Sequence, residues 1–166
     1  MTDSTAMDEN GKRQMLRHTV ATIAYRGRKA LADAPPDFAS FSVSDSSRTP
    51  GQILAHICDL YDWALWLCKG EHIYKQSEPA DWNADIARFF EALAKIDQFL
   101  ASEATLGRTP ELIFQGPIAD SLTHIGQISM LRRIAGAPVR GESYARAEIV
   151  TGRVGQDQAA PVWEFD

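Results

Sequence analysis

The chain has 166 residues, of which 45% are apolar and 23% charged, and its formal net charge is −5. That length fits one domain able to bury a core without staples, and an acidic chain with no basic run is a poor match for a nucleic-acid backbone. No apolar stretch approaches the roughly 20 residues of a membrane span, so neither nucleic acid nor membrane is an expected partner.

The polar residues 1–11 read as a flexible leader. A first helix is expected over Lys12–Ala32, with Leu16, Val20, Ile23, Ala24, Ala30 and Leu31 on one stripe. Gly27 falls on that stripe. It either costs about 1 kcal/mol relative to alanine or marks the close approach of a neighbouring helix. Ala34-Pro35-Pro36 stops the helix, and Asp37–Arg48 reads as an ordered loop crossing the end of the bundle.

The second helix has a sharp start, with Thr49 as N-cap and Pro50 at the first helical position. Ile53, Leu54, Ile57, Leu60, Tyr61, Ala64, Leu65 and Leu67 give it a wide apolar face, and Gly70 suits its end. Its two cysteines, Cys58 and Cys68, are the chain's full complement. On one helix they stand roughly 15 Å apart, beyond disulfide reach. Buried apolar thiols suit a reducing cytoplasm, which is the expected location.

Asp81 caps a third helix over Trp82–Ser102, striped by Ile86, Phe89, Phe90, Leu93, Ile96, Phe99 and Leu100. Thr109-Pro110-Glu111 starts a short turn. Gly116-Pro117 then breaks the chain and primes a fourth long helix, Pro117–Ala135, which ends at Gly136. Its buried positions are Ile118, Leu122, Ile125, Ile128 and Leu131. From 138 to 166 helical periodicity is lost, with some β character over Ala147–Val154; this tail is expected to pack on the bundle or a partner. The fold class is therefore all-α: a four-helix bundle over 12–137 with an irregular C-terminal tail over 138–166. Its longer connections permit crossovers.

Chemistry concentrates on two helices. Asp120 and His124 lie about one turn apart and point off the same face. His56 sits within the apolar pattern of the second helix. Imidazole nitrogens and carboxylate oxygens bind a divalent transition metal at about 2.0–2.2 Å. Three such ligands leave coordination positions open, which is the catalytic pattern, and Zn(II), Ni(II), Fe(II) or Mn(II) would each be accepted. Plainer readings stand beside this one. A histidine at a core edge is commonly only a satisfied boundary residue. An aspartate in a first turn complements the helix dipole. His18 and His72 read as boundary and exposed residues. Asp59 and Asp62 could orient His56 from behind or form a solvated face. Tyr61, Trp63, Trp66 and Tyr74 could line a pocket, or belong to the core or an interface. Arg132-Arg133 could bind an anion or complement a helix C-terminus.

Two segments, Thr49-Pro50-Gly51-Gln52-Ile53-Leu54-Ala55-His56 and Leu122-Thr123-His124-Ile125-Gly126-Gln127-Ile128, resemble the DinB-like family of four-helix bundles. The resemblance spans roughly Leu16–Ala137. It implies a metal held by a histidine of the second helix, matched by His56, and by an HxxxH pair of the last helix, whose second histidine matches His124. Asp120 stands where the first would be. The resemblance also implies an unusual bundle connectivity, a homodimer and, for some members, a low-molecular-weight thiol as cofactor. The expected function is that of a metal-dependent hydrolase or thiol-dependent transferase acting on a small-molecule substrate through His56, Asp120 and His124. The alternative is a non-catalytic dimeric bundle, binding a ligand or a partner, with a degenerate metal site.

Overall fold

In the computed structural model, which describes residues 8–165, helix starts follow side-chain oxygens. Asp8 accepts from the Gly11 amide and opens α1 (Glu9–Leu31). Thr49 and Gln52 form a reciprocal capping box at α2 (Pro50–Cys68). Asp81 accepts from the Asn83 and Ala84 amides at α3 (Trp82–Ala101). Thr109 opens the single turn α4 (Pro110–Ile113). Each oxygen satisfies first-turn amides that have no partner within their helix. Because Asp8 supplies a cap, α1 begins before the expected Lys12. Glu9–Gly11 are helix rather than leader, and residues 1–7 lie outside the described residues.

The expected break at Gly116-Pro117 is a kink instead. The chain leaves α4 through a π-type turn, Phe114–Ile118, and runs directly into α5 (Ala119–Ile134). Gly116 alone departs from helical geometry there, at φ −84° and ψ −105°. Pro117 has no N–H to donate, and its ring would strike the carbonyl one turn back in a regular helix. A wider turn relieves both problems.

The fold is mostly helical, and α1, α2, α3 and α5 share one core. α2 packs on α3 and α5, and α1 packs on the same two helices. Among the described residues, no helix is long and apolar enough to cross a membrane. Phe38, in a short 3-10 turn of the first long connection (Phe38–Ser40), is buried and meets Trp82 edge-to-face at 5.6 Å. Gly27 marks the crossing of α1 over α3, because a Cβ there would lie 2.6 Å from the Phe89 ring, which is fully buried. The gain in helix propensity from Gly27→Ala is about 1 kcal/mol, and overpacking costs about 1–3 kcal/mol. The variant should therefore be destabilised on balance in urea unfolding; an unchanged or raised midpoint would show that Phe89 moves aside freely.

Two buried arginines close helix ends that are not their own. Arg13 of α1 donates to the carbonyls of Phe99, Leu100, Ser102 and Ala104 at the end of α3. Arg132 of α5 donates to those of Ala30, Ala32 and Asp33 at the end of α1, and to Ala137. Arg132 is thus committed to backbone oxygens rather than to an external anion, while Arg133 is exposed.

The tail lies along α1. Glu142 accepts from the Tyr25 hydroxyl at 2.6 Å and from Lys29 at 2.8 Å, and Lys29 also reaches Glu164. Burial and the bonded Glu142 carboxylate both push the Tyr25 phenol pKa up. The strands are β1 (Gly141–Glu142) and β2 (Glu164–Phe165), paired antiparallel. They do not form over Ala147–Val154, where β character was expected. A turn at Gly152, with φ +90°, interrupts that run, and Val154 turns into the core.

Candidate metal centre

α2 and α5 bring His56, Asp120 and His124 together, with one ligand atom from each within 4.8 Å of the others. The residues come from positions that the helices fix. His56 lies one and a half turns into α2, between buried Ile53 and Ile57. Asp120 is in the first turn of α5, and His124 follows one turn later with a buried ring. The two imidazoles meet edge-to-face, with centroids 4.8 Å apart.

The Nε2 atoms of both rings face the Asp120 carboxylate. His56 Nε2 is 3.7 Å from one oxygen and His124 Nε2 is 3.4 Å from the other. These gaps are long for charge-assisted hydrogen bonds. They match the spacing of neighbouring ligands around a common ion, since two atoms each about 2.1 Å from a centre at a tetrahedral angle stand about 3.4 Å apart. The donor set therefore fits a divalent cation, and the group could hold one.

The far nitrogen of each ring is held. His124 Nδ1 lies 2.8 Å from Gln127 Oε1, to which its N–H donates. His56 Nδ1 lies 3.0 Å from the Tyr74 hydroxyl. The Gln127 oxygen places the proton on His124 Nδ1, and the Tyr74 hydroxyl can accept one from His56 Nδ1; in that tautomer both Nε2 lone pairs point at the shared space, as metal ligation requires. Burial raises the Tyr74 pKa, so the phenol stays protonated at neutral pH. Gln127 was legible as a position one turn after His124. Tyr74 was not, because it lies in the irregular connection between α2 and α3.

That connection is placed by acids read earlier as possible supports for His56 or as a solvated face. Asp59 is 1% exposed and accepts from Ser77 N, Ser77 Oγ and Arg88. Asp62 accepts from the same guanidinium at 2.7 Å. Both acids face Arg88 of α3, so they anchor the connection that carries Tyr74 instead of bonding the imidazole. His18 is exposed and bonds Thr151, and exposed His72 packs on Trp63. Neither joins the site. Tyr61 is core and bonds Ser121, whereas Trp63 and Tyr74 pack at 6.0 Å beside the centre.

Burial lowers the His56 pKa, helped by the charges of His124 and Arg48 and opposed by Asp120 and Asp59. Neutral imidazole is the form that binds metal. The unfolded chain therefore takes up this proton at a higher pH than the folded one. The stability carried by neutral His56 is complete above the ordinary pKa of about 6.5 and is lost as pH falls through that value toward the lowered one. Metal-free wild type should lose more thermal stability than His56→Gln on acidification from about pH 7.5 to 5. Parallel curves for the two proteins would contradict this.

A cleft of about 470 Å³ opens beside the centre, bordered by Arg48, Ile53, His124, Gln127, Met130 and Leu131. Compared with protein-family models, curated proteins and solved structures, the chain matches none.

Proposed function

We propose that the protein is a metal-dependent enzyme with a DinB-like four-helix bundle, a hydrolase or thiol-dependent transferase acting on a small molecule. His56 Nε2, His124 Nε2 and an Asp120 oxygen would hold Zn(II), Ni(II), Fe(II) or Mn(II). The observation that carries this reading is the convergence of both Nε2 atoms on the two Asp120 oxygens at 3.7 and 3.4 Å, with both Nδ1 atoms bonded elsewhere. When bound, such an ion lowers the pKa of a water or thiol and polarises a carbonyl. Gln127 fixes the orientation and tautomer of the His124 ring and Tyr74 the orientation of the His56 ring, and Asp120, about half exposed, leaves the centre open to the solvent side.

The chain's own thiols do not suit the nucleophile's role. Cys58 and Cys68 are buried, and burial pushes their pKa values up to about 12 and about 11. A transferase of this construction would use a low-molecular-weight thiol from solution. The four long helices and the order of the two motifs support the DinB-like reading, which carries with it a homodimer; the free thiols of Cys58 and Cys68 support a cytoplasmic setting. The exposure of Asp120, at a position where that pattern has a histidine, favours the second reading of a non-catalytic bundle.

Metal analysis of protein purified without chelator tests the proposal. Wild type should hold close to one transition-metal ion per chain, and His124→Ala should hold none. A wild type that contains no such ion and takes up none of the four removes the enzyme reading. For a metal-loaded protein, turnover screens with and without added thiol separate hydrolase from transferase.

A further inference from the structure

Arg48 directly precedes the Thr49 cap of α2 and lines the same cleft as His124. Ile53, Met130 and Leu131 add apolar wall, and the volume of about 470 Å³ lies in the range of small-ligand sites. The other charges near the centre are committed: Asp59 and Asp62 to Arg88, and Asp120 to the two imidazoles. Among the described residues, Arg48 has no hydrogen-bond or ion-pair partner. A free guanidinium is thus presented on the wall of a largely apolar cleft that one candidate ligand, His124, also lines.

Resting on the metal-dependent reading, we propose that the substrate class is a small carboxylate with an apolar body, its carboxylate on Arg48 and its reacting end at His56, Asp120 and His124. A guanidinium presents two parallel N–H groups that match one carboxylate. The aliphatic wall of Ile53, Met130 and Leu131 suits a chain of a few carbons. Asp120 sets the direction of binding, because in the metal-free chain its charge opposes a carboxylate at the histidine end. The role is specificity: Arg48 would select and orient the substrate without touching the reacting atoms.

Hexanoate and its neutral analogue hexanamide serve as probes, with binding followed by NMR shifts of the Ile53, Gln127 and Leu131 amides. Chelator is present throughout, so that no metal can capture the carboxylate. Wild type should bind hexanoate about tenfold more tightly than hexanamide. Arg48→Gln should lose that preference while keeping the wild-type midpoint of urea unfolding, which shows that the variant is folded. Equal binding of the two probes by wild type, or a preference that survives Arg48→Gln, overturns the assignment. The two proposals fail separately. Arg48-dependent selection in a chain that binds no metal leaves the carboxylate cleft standing without the enzyme reading, and Zn(II) binding without selection does the opposite.

Discussion

Arg132→Met should lower the unfolding free energy by about 2–4 kcal/mol. The methionine keeps much of the aliphatic stem but none of the donors. Four carbonyls, those of Ala30, Ala32, Asp33 and Ala137, would lose bonds of 2.7–3.2 Å. Each oxygen left unpaired away from water costs about 1–3 kcal/mol, and those nearer the surface recover part of that from solvent. Burial lowers the Arg132 pKa, yet a guanidinium remains charged at any working pH. Arg132→Lys keeps a charge without the planar fork and should fall between wild type and the methionine variant. Arg133→Met, on the exposed side of the same turn, should stay within about 0.5 kcal/mol of wild type. Urea unfolding monitored by circular dichroism reads all three; a loss at Arg132 no larger than that at Arg133 would show the bonds to be dispensable.

Zn(II) should raise the thermal midpoint of wild type by roughly 5–10 °C when its free concentration is about 100 times its dissociation constant. That excess adds about 2.7 kcal/mol to a state that alone binds the ion, and a chain of this length gains about 2–4 °C per kcal/mol. His124→Ala and His56→Ala should abolish the rise, because each removes an imidazole and leaves two ligands. Gln127→Leu keeps all three ligands but releases the His124 Nδ1 proton from its 2.8 Å partner. Affinity should fall about 10–100-fold, so the midpoint rise returns only at higher Zn(II). Calorimetry at fixed pH reads the series. A rise in His124→Ala equal to that of wild type would place the ion elsewhere.

The helices were legible because caps and stripes are local. Thr49-Pro50, Asp81 and Thr109-Pro110 mark starts within a residue or two, and the apolar spacing of α2 and α3 states which face is buried. The juxtaposition of His56 with Asp120 and His124 was legible for a related reason: each lies on or beside a core-facing stripe, and two such stripes must meet. What escaped is long-range and polar. Nothing at Arg13 or Arg132 announces that a distant helix ends nearby with unpaired carbonyls. The pairing of Asp59 and Asp62 with Arg88 depends on which faces of α2 and α3 touch, which periodicity leaves open. The start of α1 was missed because Asp8 sits in a polar segment with no stripe of its own. Gly116-Pro117 was read as a break because local rules describe what proline forbids, whereas a wider turn satisfies the same constraint without ending the helix.

That wide turn makes segment length a variable in its own right. Each residue advances an α-helix by about 100°. The turn at Phe114–Ile118 sets the angular offset between Ile113, fixed in the core before it, and Asp120 and His124 beyond it. Deleting one residue there would swing both ligands about a quarter of the way round the helix and away from His56, with every ligand still in the sequence. Substitutions in this stretch change the lining of the turn; insertions and deletions turn the site itself, as a key turns in a lock.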